Sequence, residues 1–166
     1  MHAGMALLLD ERLRASDSAT RVIGELFGNP VRIERVACEP IKLSTTQEAE
    51  LAPNGDTVLH RRVKLVAAGA AVSEADLWYL PSRLWPGMAA QLRDSNTPFG
   101  AVVRPMRPHR HLLASRAGGS WMLEHDAVLH DAAGLPIALV AERYFWRKEG
   151  QGSALDPLGP EAAHSV

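Results

Sequence analysis

Apolar and polar positions along the chain follow two periods, and the places where the period changes mark the elements. Val22, Ile23, Leu26 and Phe27 recur at steps of three and four, which is one face of a helix, and Gly28-Asn29-Pro30 stops the run. Ser16-Asp17-Ser18 ahead of it supplies the short oxygen-bearing side chains that cap a helix start. From Val31 to Val36 the period drops to two, as in a half-buried strand. The polar stretch from Ser44 to Asp56, with Pro53-Asn54-Gly55, reads as a loop containing a turn.

The strand predicted from Leu59 to Ala67 is the most informative. Leu59, Val63 and Leu65 fall on one face, and His60, Arg62 and Lys64 on the other, so Arg61 stands on the apolar face. A turn near Gly69 leads to a second strand through Ala75, Leu77 and Tyr79. Pro81 to Leu92 then reads as a helix carrying Leu84, Met88 and Leu92, with Pro86 near its start. Ser95-Asn96-Thr97-Pro98 is a loop feeding Phe99-Gly100 and a strand through Val102 and Val103; another strand is expected from His109 to Leu113. Trp121 to Leu129 and Ile137 to Trp146 form a hairpin joined at Asp131-Ala132-Ala133-Gly134. The residues from Gly150 onward have the composition of a disordered end, leaving one domain over 1–149. About six strands joined by short turns, with two substantial helices, predict an α+β domain: a single antiparallel sheet covered by helices on one face.

A chain of 166 residues with 46% hydrophobic content is long enough for one core and short for two. The formal net charge of -1 supplies no field to gather nucleic acid or coat an anionic membrane. The single cysteine, Cys38, forms no internal disulfide and no structural zinc site. The apolar start Met5-Ala6-Leu7-Leu8-Leu9 is broken by Asp10-Glu11, too soon for a secretory or membrane-spanning segment, so a cytoplasmic location is expected. No strand runs into a glycine-rich phosphate loop, so nucleotide cofactors are not indicated.

Two charged residues stand on otherwise apolar faces. A guanidinium is costly to bury without an anion, so an inward Arg61 predicts an inward anion: either a ligand carboxylate held by the two-pronged fork or an internal carboxylate. Glu142 interrupts Ile137-Ala138-Leu139-Val140-Ala141 and shares its face with Val140, Tyr144 and Trp146. Desolvation there favours the protonated form that a general acid needs, whereas a close arginine, Arg61 or Arg110, favours a plain ion pair. His109-Arg110-His111 places two imidazoles on one face, but no third ligand supports a metal site. His125 and His130 read as ordinary strand and turn residues. Cys38, Ser73 and Ser120 lack the setting of a nucleophile, and Trp78, Trp85, Trp121 and Trp146 read as core or pocket wall.

Four separated segments resemble, in order, those of the chorismate pyruvate-lyase family. Asp17-Ser18-Ala19-Thr20-Arg21 is similar to the start of its first helix and Leu59 to Gly69 to its arginine strand. Thr97-Pro98-Phe99-Gly100 is similar to its turn, and Gly134-Leu135-Pro136 through Glu142 to its last hairpin. The resemblance implies a chorismate lyase-like fold and elimination of pyruvate from chorismate to give 4-hydroxybenzoate without any cofactor. It also implies that Arg61 holds the ring carboxylate, Glu142 acts as acid and hydrogen-bond partner, the backbone of Phe99 and Gly100 touches the ligand, and Arg110 lies beside them. Departures are Ala19 where the family has methionine, which would reshape the ligand-binding wall against the ring, Trp121-Met122-Leu123-Glu124 in place of an arginine-rich stretch, and Arg147-Lys148 in place of a proline.

The first functional expectation is therefore a lyase acting on chorismate or a related cyclic carboxylic acid, working as a monomer or homodimer. The alternative is a non-catalytic domain that binds a small aromatic acid, because the same architecture resembles effector domains of transcription regulators. Nothing before Ser16 reads as a winged helix, which weighs against regulation. A hotdog thioesterase would need one long central helix, and the predicted helices are short. Fold alone licenses none of these choices.

Overall fold

The structure, a computed structural model, describes residues 2–145 except residue 17 and residues 119–120, with side chains from residue 4. The expectations for Trp146, Arg147, Lys148, Ser120, Asp17 and the C-terminal end lie outside the described residues. The elements are α1 (His2–Arg14), α2 (Ala19–Phe27), β1 (Val31–Pro40), α3 (Thr45–Leu51), β2 (Leu59–Ala67), β3 (Ala70–Tyr79), α4 (Met88–Asp94), α5 (Phe99–Val103), β4 (His109–Gly118), β5 (Trp121–His130) and β6 (Pro136–Tyr144).

The strands form one six-stranded antiparallel sheet in the order β1-β2-β3-β6-β5-β4. The protein is an α+β fold, as the strand count and turn spacing predict. Two hairpins, β2-β3 and β5-β6, are each closed by a short turn, with Ala68 and Gly69 both at positive φ in the first. The chain then uses residues 80–108 to cover the sheet before β4 starts at its far edge. Because β6 returns beside β3, residues far apart in the sequence share the centre of the sheet.

Side-chain alternation divides the sheet into two unlike faces. On one face, Leu65, Leu123 and Tyr144 pack against Ala6, Leu9 and Leu13 of α1 and Val22 and Ile23 of α2. On the same face, Leu77, Tyr79, Ala138 and Val140 pack against Met88 and Leu92 of α4 and Phe99, Val102 and Val103 of α5. The apolar run Met5 to Leu9 is thus part of a helix laid on the sheet. On the opposite face, α3 covers Trp78, Val128 and Leu139 through Leu51, and the rest carries ion pairs around Asp76 and Glu124. Among the described residues no helix is long and apolar enough to cross a membrane.

Three local expectations are corrected. Val102 and Val103 lie in α5, not a strand; Pro98 opens a short helix and the two valines are buried against α4 and the sheet, so packing overrides their β preference. The helix expected over Pro81–Leu92 is broken. A 3-10 turn, Pro81–Arg83, is separated from α4 by Pro86 and by Gly87 at φ 85. The presumed loop Ser44–Asp56 contains α3, started by a reciprocal cap in which Ser44 and Gln47 each bond the other's backbone N–H.

Candidate functional site

Between the helix-covered face of the sheet, the first turn of α2 and the start of α5 lies a cavity of about 630 Å³. That is within the usual range for small-molecule sites. Its floor is a grid fixed by strand register. Arg61 of β2 lies opposite Leu77 of β3, which lies opposite Val140 of β6; one pleat along, Val63, Ala75 and Glu142 align, and then Leu65, Ser73 and Tyr144. The middle of the floor is small and apolar, and the polar groups stand at its borders.

Arg61 is only 2% exposed, although it is an arginine. Its Nη2 donates to the carbonyls of Ser95 and Thr97, at 3.1 and 3.0 Å, in the loop that leads into α5. Its Nε has no partner, and no described carboxylate pairs with it. Burial lowers its pKa, partly offset by the nearby Cys38 thiol and Tyr79 hydroxyl, yet a guanidinium keeps its proton. The loop is held by Ser95, whose hydroxyl donates to Thr97 Oγ1 at 2.9 Å and accepts from the Thr97 N–H. A hydrogen-bonded loop thus positions a cation to which no described residue supplies a counter-charge.

Glu142 accepts a hydrogen bond from Arg110 Nη2 at 2.6 Å, with the two side chains 12% and 30% exposed. Burial works against the charge of Arg110, but Glu142 outweighs it by charge and hydrogen bond, and the Arg110 pKa is raised. Arg61 and Glu142 do not meet. Two strand spacings and a two-residue step put their Cα atoms about 12 Å apart. The internal ion pair open to Glu142 is therefore made with Arg110 and not with Arg61.

The six residues expected at the site, Ala19, Arg61, Phe99, Gly100, Arg110 and Glu142, all line this cavity. Ala19 enters from the first turn of α2, behind Ser18, whose side chain caps that helix by accepting from the Arg21 N–H. His109 and His111 are exposed, and among the described residues no cluster of His, Cys, Asp or Glu could hold a metal. Trp85 is exposed and far from a pocket-wall role.

Sequence reasoning missed several lining groups. Ser73 and Tyr144 are buried in the floor, and the Tyr144 hydroxyl has no bonded partner by geometry. Burial pushes the Tyr144 pKa far up, so it stays a neutral phenol. Arg104 and Arg107 line the wall beyond α5. His125, read as an ordinary strand residue, is 1% exposed and sits with Nε2 2.6 Å from Asp10 Oδ1, tying α1 to β5; its Nδ1 has no partner. The hint was Asp10 itself, a charge that breaks an apolar helix face.

No known family profile matches the sequence. A protein of unknown function from Sinorhizobium fredii, y4mC, is 28% identical over 130 residues, which is 64% of this chain and 54% of the relative. The chain thus spans about half the length of that relative. Among solved structures, the effector domain of PhnF from Mycobacterium smegmatis aligns with a TM-score of 0.58 over 77% of this chain and 88% of its own, at 15% identity. The fold is that of GntR-family ligand-binding domains. The complete PhnF aligns with a TM-score of 0.59 over 86% of this chain and 69% of its own, again at 15% identity. The ligand-binding domain assigned to a GntR-family regulator from Bordetella bronchiseptica gives 0.54 over 69% and 85%, at 15% identity. This chorismate lyase-like fold puts the cavity described above on the covered face of the sheet, and identities this low carry the fold alone.

Proposed function

We propose that the domain binds a small organic acid, aromatic in size, in the 630 Å³ cavity, with the acid's carboxylate on Arg61. The observation that carries this reading is the buried guanidinium with no carboxylate partner among the described residues and an unpartnered Nε. An unpaired buried charge costs several kcal/mol, and a bound carboxylate offsets it with charge-assisted hydrogen bonds. The apolar floor of Val63, Ala75, Leu77 and Val140 suits a flat ring, and Phe99 and Gly100 close over it. Neighbours named as ligand-binding and effector domains of regulators support binding over catalysis.

The finer reading, elimination of pyruvate from chorismate, asks Glu142 to deliver a proton to the departing oxygen. Its carboxylate is engaged by Arg110 at 2.6 Å, which favours acceptance over donation and speaks for the binding reading. Calorimetric titration with 4-hydroxybenzoate, beside incubation with chorismate, tests both. Saturable binding that is lost in Arg61→Gln, with no pyruvate released from chorismate, is the expected result. Pyruvate release at a steady rate would restore the lyase, and an affinity indifferent to Arg61 would overturn the placement of the carboxylate.

A further inference from the structure

The charge on the cavity wall exceeds what one carboxylate neutralises. Among the described residues, Arg61, Arg104, Arg107 and Arg110 line it beside one acid, Glu142, and that acid is taken by Arg110. Arg104 and Arg107 make no side-chain hydrogen bond or ion pair with any described residue, and both are exposed at the wall. They bracket one 3-10 turn, Arg104–Met106, whose capping N–H from Arg107 returns to the Arg104 carbonyl at 3.0 Å. Arg104 opens the turn and Arg107 caps it, and both residues line the same cavity.

That turn is rigid. Met106 is buried in the core beneath it, Pro105 lies within it and Pro108 follows it, and Arg107 itself holds φ 52, a left-handed conformation that residues other than glycine and asparagine rarely adopt. Two cations on one turn, neither paired with a described residue, offer an anion two charge-assisted contacts at once.

Resting on the binding reading above, we infer that Arg104 and Arg107 form a second anion subsite and that the ligand is a dianion. One carboxylate sits on Arg61, and a second carboxylate or phosphonate, joined by an apolar spacer, sits at the Arg104–Arg107 turn. The second group is solvent-accessible, so its contribution falls with ionic strength more steeply than that of the carboxylate buried on Arg61.

The test compares three probes on the full chain by calorimetry: benzoate, terephthalate and 4-phosphonobenzoate. The inference expects both dianions to bind at least about tenfold tighter than benzoate, the gain expected of one charge-assisted contact, with the advantage shrinking as salt is raised. The double variant Arg104→Gln, Arg107→Gln then loses dianion affinity about tenfold more than benzoate affinity, while the paired lysine variant recovers part of the difference. A gain for only one dianion identifies the second group as carboxylate or phosphonate and supports the subsite. Benzoate binding that depends on Arg61 with no dianion advantage overturns this inference alone. If none of the three probes binds, both readings fall.

Discussion

Arg110 on the edge strand β4 reaches across β5 to Glu142 on β6, closing one end of the cavity floor with a 2.6 Å ion pair. Both partners are largely shielded, and they tie strands that are not hydrogen-bonded to each other. Glu142→Gln keeps the shape and removes the charge, so it costs about 1 kcal/mol in urea unfolding. It also frees Arg110, adding a cation to the cavity, and the affinity for 4-hydroxybenzoate is expected to rise. If Glu142 were the working acid of an enzyme, the same variant would abolish turnover without that rise.

Arg61 separates stability from binding. Arg61→Met keeps much of the side-chain volume but removes a charge that has no counter-ion among the described residues. Lost hydrogen bonds to the Ser95 and Thr97 carbonyls oppose the relief of desolvation, so the ligand-free protein is expected to shift by no more than about 1 kcal/mol. Ligand affinity falls by about 10- to 100-fold, the range for a charge-assisted hydrogen bond. Denaturation and titration of the same preparation check both halves.

Asp10 links α1 to the sheet and makes stability depend on acid. Burial works to raise its pKa, but hydrogen bonds from Arg14, Ser115 and His125 outweigh that and hold it at about 2 against an ordinary 3.8. A carboxylate depressed in the folded state stabilises above its unfolded value and loses that contribution as pH falls from about 4 toward 2. Discounted for solvent screening, the contribution is about 1 kcal/mol. Asp10→Asn is therefore less stable than the parent at neutral pH, and the gap in urea midpoints closes through that acid window.

How much of this was legible along the chain follows from the range of each interaction. The alternation around Arg61 is local, so its inward position was readable, as was that of Glu142 beside Val140 and Tyr144; the β3-β6 pairing that joins the two faces is not local. The cap on α3 was also written locally, in Ser44 and Gln47, and was passed over because the segment is polar. Val102 and Val103 misled because their β-branched side chains are satisfied by burial against α4, a tertiary contact. His125 and Asp10 are 115 residues apart, and Arg104 and Arg107 line the cavity on a turn set by the tertiary packing of Met106. No sequence period encodes either relation.

Ala19 tests the shape of the cavity without touching its charge. It lines the wall from the first turn of α2, where a longer unbranched side chain keeps the helix and projects into the space above the floor. Ala19→Met is expected to leave the unfolding midpoint within about 0.5 kcal/mol of the parent, as α2 tolerates it. Affinity for ring-sized acids should fall severalfold while acetate, which needs only Arg61, is little affected. Equal losses for both would place Ala19 over the carboxylate and not over the ring.

Asp76 provides the counterpart of Arg61 on the opposite face of the sheet. It is 4% exposed, with His60 Nε2 and Arg62 Nε each at 2.7 Å and Arg143 at 3.5 Å. Burial alone would raise its pKa, but the bonds from Arg62 and His60 bring it below the ordinary value, so its stabilisation is present at neutral pH and fades in acid. Here the described residues supply the partners themselves, and Asp76→Ala takes the shared acceptor from His60 and Arg62 and leaves Arg143 only Glu124. That costs about 3 kcal/mol of stability, and because none of these groups lines the cavity, ligand affinity should be unchanged. The opposite pattern is expected of Arg61, where affinity falls and stability holds. The two variants together thus distinguish a buried charge that serves the fold from one that awaits a ligand.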